Sequence, residues 1–324
     1  MRIHHSRRTA LRRGPTSRRL EPRQNLRRLF PGSWVLAFLL PLLACAPAQA
    51  GAFEEYWYRG KAEITSYRLE QARYGEAHPG HSVLVYVTEE FSRSKQVKLD
   101  NPRLAGDDAV KILKLNATKK FNTGIYPYSM MASVFSPIDA NSDPFALKVT
   151  TSSQEWCGHT WTQLNRADDG YRGELRSYFE SEGDEVLRID GVQLEDQLWN
   201  LIRLAPETLP TGDITLLPGT FYERLRHADW KPKAARATLI PAEGKPGQMT
   251  YTLTYPSLGR TLAIHFNKAF PHEIEAWEET FTSGFGPGAK PLTTRAVRNK
   301  RILSDYWNRN SLEDLALRSQ LGLE

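Results

Sequence analysis

The chain has 324 residues, a quarter of them charged, with a formal net charge of +6; that length supplies one large or two ordinary domains with a sizeable core. The excess charge sits at the front: residues 1–30 hold ten arginines against the single acid Glu21, residues 31–50 hold no charge, and the rest carries 33 Lys/Arg against 36 Asp/Glu. A mildly acidic body without a basic, aromatic-interleaved cluster excludes a general nucleic-acid binder, and no nucleic-acid partner is expected.

Trp34–Ala50 (WVLAFLLPLLACAPAQA) holds an apolar core of about a dozen residues, interrupted by Pro41 and followed by small residues, the pattern of a secretory leader. It is shorter than the roughly 20 residues of a membrane span. Two processing sites are legible. Leu42-Leu43-Ala44-Cys45 matches a bacterial lipobox and makes Cys45 a lipidated first residue; Ala48-Gln49-Ala50 matches an ordinary signal-peptidase site. An uncut short membrane anchor is the third reading. Ala46 after the cysteine resembles the outer-membrane sorting class of Gram-negative lipoproteins. The expected location is thus the periplasm, with the membrane reached through a lipid anchor on Cys45. Residues 1–50 read as leader and 51–324 as a single β-rich exported domain.

Along that domain, Ala62–Arg73 alternates apolar and polar residues and predicts a strand, although a helix also fits its spacing. His78-Pro79-Gly80-His81 reads as a turn, and Ser82–Glu89, with Val83, Val85 and Val87 on one face, as a strand covered on both sides. Residues 92–110 are charged and loop-like. Lys111–Leu115 and Ser129–Phe135 are predicted strands separated by turn signals at Thr123-Gly124 and Pro127. Ala146–Ser152 and Glu155–Leu164 follow as two strands or one long bent one. Asp168-Asp169-Gly170 is a hairpin turn leading into Tyr171–Glu180, and Val186–Ile189 is a further strand.

Leu194–Leu201 predicts a short helix. Asp213–Leu217, Phe221–Leu225, Ala235–Ile240, Met249–Tyr255, Arg260–Phe266 and Ile274–Phe281 read as strands. Residues 294–324 read as a partly helical tail, in which Ser311 and Asp314 make a weak capping box. No repeat or low-complexity linker interrupts the body. About ten short strands between regular turn signals predict a mainly β fold, a large curved antiparallel sheet or open barrel with few short helices.

The densest group of reactive side chains is SSQEWCGHTW. Two residues apart on a strand, Cys157 and His159 share a face at roughly 7 Å between Cα atoms, with Glu155 on the same face. A thiol, a base and an orienting carboxylate in that order are what a nucleophilic site needs, so Cys157, His159 and Glu155 are the candidate catalytic residues. Against this, a free cysteine packs as a small hydrophobe, and Gly158 reads as a bulge that tilts the pair. Packed core at the centre of the sheet is the preferred reading of this stretch. With Cys45 modified or removed, Cys157 has no disulfide partner. No cofactor is expected: there is no glycine-rich phosphate loop, and no metal motif, with His227, His265 and His272 far from Cys157 in sequence. His265, between Ile264 and Phe266, reads as a hydrogen-bonded core or rim residue. Acidic groups such as Glu275, Glu278 and Glu279 around Trp277 are too common here to mark a glycosidase.

The strings YWYRGKAEITSYRLEQARYGE, KLNATKKFNTGIYPYSMM, SSQEWCGHTWTQLN, LPTGDITLLPG and WEETFTSGFG resemble a family of uncharacterised exported proteins and lipoproteins of Gram-negative bacteria. The resemblance runs from about Glu54 to Leu323. Some members of that family are labelled septum formation inhibitor of the Maf type. Maf proteins themselves are cytoplasmic nucleotide pyrophosphatases with an α/β fold and a Ser-Pro-Arg-Arg motif. This chain has only Pro15-Thr16-Ser17-Arg18-Arg19 inside its leader, so no pyrophosphatase residue transfers. The resemblance implies export and envelope class and assigns no catalytic residue.

The function these readings favour is non-enzymatic: an envelope protein that binds a hydrophobic or amphipathic ligand, or another envelope component, on the concave face of its sheet. An apolar concave face must be covered by a ligand, a partner or the terminal helix. The opposing reading is a hydrolase or thiol enzyme centred on Cys157 and His159.

Overall fold

The structure, a computed structural model, describes residues 46–284 and 286–323, so Cys45 and the residues before it lie outside the described residues. A first helix, α1 (Ala46–Trp57), leads into eight strands joined as successive antiparallel hairpins: β1 (Ala62–Arg73), β2 (Glu76–Ser92), β3 (Ala109–Thr123), β4 (Tyr126–Pro137), β5 (Lys148–Glu155), β6 (Gly158–Ala167), β7 (Gly170–Ser177) and β8 (Asp184–Asp190). The chain then crosses through β9 (Gln193–Leu194), α2 (Glu195–Leu204), β10 (Gly212–Leu217) and α3 (Thr220–Arg226). It returns through β11 (Lys233–Pro241), β12 (Gln248–Tyr255), β13 (Arg260–Asn267), β14 (Ile274–Ser283) and β15 (Lys290–Ser304) to pair with β1. A short α4 (Ala316–Gln320) follows. All fifteen strands form one sheet in the order β8 to β1, then β15 to β9, antiparallel except for the β9–β10 pair.

Only Gly191 and Val192 separate β8 at one edge from β9 at the other. Three peptide links span no more than about 11 Å, so the two edges converge there and the sheet curls into an open barrel. Its inner face carries the odd-numbered positions of β1 and β3 (Tyr67, Leu69; Leu113, Leu115) and the even-numbered ones of β2, β4 and β13 (Leu84, Tyr86; Met130, Val134; Leu262, Ile264), all buried. α2 runs inside this curve, with Leu198, Leu201 and Ile202 at most 1% exposed. Burial of each such side chain contributes roughly 1.5–3 kcal/mol. The concave face is therefore covered by α2 and α3 and not by the terminal helix. Leu321 and Leu323 instead pack against Ala62, Ile64 and Val87 on the other face of the sheet.

Several sequence expectations need correction. His78–His81 lies inside β2: the hairpin turn is at Tyr74-Gly75, both at positive φ, and Gly80 is packed so closely against β3 that a Cβ there meets the Lys120 carbonyl oxygen at 2.2 Å. Phe221–Leu225 is helical. Its N-terminal amide, on Thr220, donates to Asp196 Oδ2 of α2 at 2.9 Å, a tertiary cap that local alternation does not reveal, and His227 at φ 52° ends the helix. Residues 294–304 belong to β15, next to the central strand β1; the helical part of the tail is a 3-10 turn at Tyr306–Asn308 and the stretch from Leu312 to Gln320, and the Ser311–Asp314 capping box is present. The SSQEWCGHTW stretch is neither one strand nor central. It is the β5–β6 hairpin, three strands in from the β8 edge, with Glu155 paired to Gly158 across a Trp156-Cys157 turn.

Candidate ligand site in the concave face

α2 is fastened at both ends by buried charge pairs. At its first turn Glu195 accepts two bonds from Arg260 of β13, at 2.5 and 2.6 Å, and one from the Tyr255 hydroxyl at 2.7 Å. Arg260 also reaches Glu279 of β14 at 2.7 Å and stacks over the Tyr222 ring of α3. At its last turn Arg203 makes a two-pronged pair with Glu63 of β1, both contacts at 2.7 Å, donates to the Pro271 carbonyl at 2.8 Å, and lies over the Tyr86 ring. Acid at the helix start and base at its end suit the helix dipole. Burial pushes the Glu63 and Glu279 carboxyls up, but the facing guanidiniums overcome it and hold both below the usual carboxylate range.

Between α2, α3 and the sheet lies a cavity of about 60 Å³. Its walls are apolar: Leu84, Leu115 and Val134 from one half of the sheet, Leu262 and Trp277 from the other, and Trp199 from α2. Its polar end gathers Lys119, Glu195, Asp196, Arg260 and Glu279. Asp196 is pushed up to about 6 by burial, against the bonds it accepts from the Thr220 amide and hydroxyl. Burial lowers the Lys119 ammonium's pKa, opposed by the Glu279 charge. Lys119 is 5% exposed, and among the described residues its one hydrogen bond runs to Gln71 Oε1 at 3.3 Å.

The sequence did not single out Lys119, Glu195, Asp196 or Arg260. The available signal was parity: Lys119 shares its face of β3 with Leu115 and Phe121, and Arg260 its face of β13 with Leu262 and Ile264. A charge at an inward position of a buried strand marks a paired or ligand-facing group.

The residues singled out from the sequence are placed differently. Cys157 sits in the hairpin turn and is exposed, which corrects the packed-core reading. Its backbone amide donates to Glu155 Oε2 at 2.7 Å, while Glu155 faces Arg224 of α3 at 3.9 Å. His159 lies one position into β6, opposite Gln154 and exposed. Among the described residues no hydrogen bond joins it to the thiol. A hydrogen bond with Glu155 and the charge of that carboxylate raise the Cys157 thiol above its usual pKa, the opposite of what an activated nucleophile needs. Peptide mass spectrometry after thiol labelling of the folded protein is expected to find Cys157 fully modified without denaturant, and faster in a Glu155→Gln variant. Modification only after unfolding contradicts this placement.

His265 bonds Thr250 Oγ1 at 3.0 Å at a half-buried position, as a rim histidine should. His227 pairs with Glu182. Among the described residues no cluster of three His, Cys, Asp or Glu side chains is arranged to hold a metal ion, and no helix is long and apolar enough to cross a membrane. No protein-family model, no curated protein and no solved structure matches this chain.

Proposed function

We propose that this is an exported, non-enzymatic envelope protein that binds an amphipathic ligand inside its curved sheet, and that Cys45 carries the lipid that anchors it to the outer membrane. The leader and its lipobox support the location. One observation carries the binding reading: the concavity holds an apolar-walled cavity with a charged end, bounded by both halves of the sheet, α2 and α3. Sites for small amphiphiles have this composition, mostly apolar with a few convergent polar groups.

The cavity accommodates only a few heavy atoms, so a longer chain enters by displacing α3 and the Trp199 side chain. α3 suits that role. It has only seven residues, held by polar contacts of Thr220 to Asp196 and Thr151 and of Arg226 to the Gly284 carbonyl, and by packing of Phe221, Tyr222 and Leu225. α2, clamped by Arg260 and Arg203, is the fixed wall. The thiol-enzyme alternative gains no such support, because the cavity lining does not include Cys157, His159 or Glu155.

The test is mass spectrometry of organic extracts from protein purified out of its own membranes. A co-purifying amphiphile near one per chain, together with an acylated N-terminal cysteine, is the expected result. Protein free of any amphiphile that also fails to take up a fluorescent acyl chain contradicts the binding reading, and an unmodified Cys45 contradicts the anchor.

A further inference from the structure

Lys119 is the least satisfied cation of the cavity. An ammonium offers three donors, and among the described residues only Gln71 Oε1 accepts one, at 3.3 Å. Gln71 is itself fixed: its Nε2 donates to Thr294 Oγ1 at 3.0 Å and to the Ala72 carbonyl at 3.2 Å, so its oxygen has to face Lys119. No carboxylate lies within 4.0 Å of the ammonium among the described residues, whereas the neighbouring Arg260 holds both Glu195 and Glu279. The nearby Ser82 hydroxyl donates to the Thr118 carbonyl at 2.6 Å and makes no hydrogen bond with Lys119 among the described residues. The surface next to Lys119 also carries Ala117, Ala132 and the Phe221 ring, whose centroid lies 5.2 Å from Nζ, while Glu279 acts on the ammonium by charge without pairing with it. A buried cation persists when paired and hydrogen-bonded; among the described residues this one has a single hydrogen bond and no ion pair.

We propose that Lys119 binds the carboxylate of a long-chain monocarboxylic acid, a fatty-acid-type ligand, with the acyl chain directed along the apolar wall toward Trp199 and Trp277. A carboxylate brings two acceptor oxygens and one negative charge, which matches two unfilled donors on a cation with no ion-pair partner among the described residues. A phosphate monoester is a poorer match. Its second charge would face Glu195 and Glu279 across a small, poorly solvated space with no further free cation lining it.

This inference rests on the amphiphile-binding reading, and one titration separates the two. The full mature protein is titrated with hexadecanoic acid, its methyl ester, hexadecanol and hexadecyl phosphate, each displacing a fluorescent acyl chain. The acid is expected to bind at least tenfold more tightly than the ester and alcohol, and more tightly than the phosphate. In Lys119→Met the advantage of the acid over the ester should disappear while the ester still binds. Equal binding of acid and ester by the unaltered protein overturns the carboxylate assignment and leaves the amphiphile reading standing; so does tighter binding of the phosphate, or an acid preference that survives in Lys119→Met. Failure of all four to bind overturns both. The acid–ester comparison in the unaltered protein decides the matter even if the variant does not fold.

Discussion

Arg260→Met should lower the stability of the protein by about 3–5 kcal/mol, the usual cost of stripping one partner from a buried ion pair. For a domain of this size that is a fall in thermal midpoint on the order of 10 °C. Glu195 and Glu279 are at most 5% exposed and would lose their shared countercharge. The deficit should shrink as the pH falls, because a protonated carboxyl needs no partner. The triple variant Arg260→Met, Glu195→Gln, Glu279→Gln should recover most of the loss. Thermal unfolding of the three proteins at pH 5 and pH 8 decides this; a loss below about 1 kcal/mol at pH 8 contradicts the clamp. The two clamps also fix the direction of the helix. Turned end for end, α2 would bring Glu195 against Glu63 and Arg203 against Arg260, so each pair rejects the reversed packing as well as favouring the observed one.

The second large effect has the opposite sign. Glu223 of α3 is 1% exposed, neither carboxyl oxygen has a hydrogen-bond partner among the described residues, and burial pushes its pKa up to about 9, against the pull of Arg260. A carboxyl whose folded pKa lies above its unfolded value favours folding most below the unfolded value, near pH 4–5. It loses that advantage steadily as the pH rises toward the folded value. Glu223→Gln removes this dependence. The variant should match the parent near pH 4 and gain on it with rising pH, by at most about 1.4 kcal/mol per pH unit. Its midpoint should be several degrees higher at pH 8, as read by calorimetry across that range. A variant that is less stable than the parent at pH 8 contradicts the assignment. An unsatisfied acid inside a short helix is also the kind of local weakness expected of a segment that moves.

Much of the fold was legible because antiparallel strands with one wet face advertise themselves by alternation. β1, β10 and the β12–β13 hairpin begin and end within one residue of the predicted bounds, and EDQLWNLIRL carries α2 in its spacing. The failures have physical causes. The Trp156-Cys157 turn contains neither glycine nor asparagine, so two residues of high strand propensity concealed a hairpin. β15 buries small side chains, Thr294 and Ala296, and exposes Arg295 and Arg301, which weakens the hydrophobic signal of a central strand. α3 depends on a cap from Asp196, 24 residues away. The cavity itself was beyond local reading. Lys119, Glu195, Arg260 and Glu279 span 160 positions and meet only once the sheet curls around α2.

The claim that a ligand's chain lies between α2 and the sheet is tested most directly by tryptophan quenching with acyl chains brominated at successive carbons. Trp199 and Trp277 line the cavity, their rings 5.2 Å apart. A mid-chain bromine is predicted to quench their emission at one ligand per protein, with most of the quenching lost in a Trp199→Phe, Trp277→Phe double variant that still binds. Bound ligand that leaves the emission unchanged, or quenching that persists in the double variant, contradicts it.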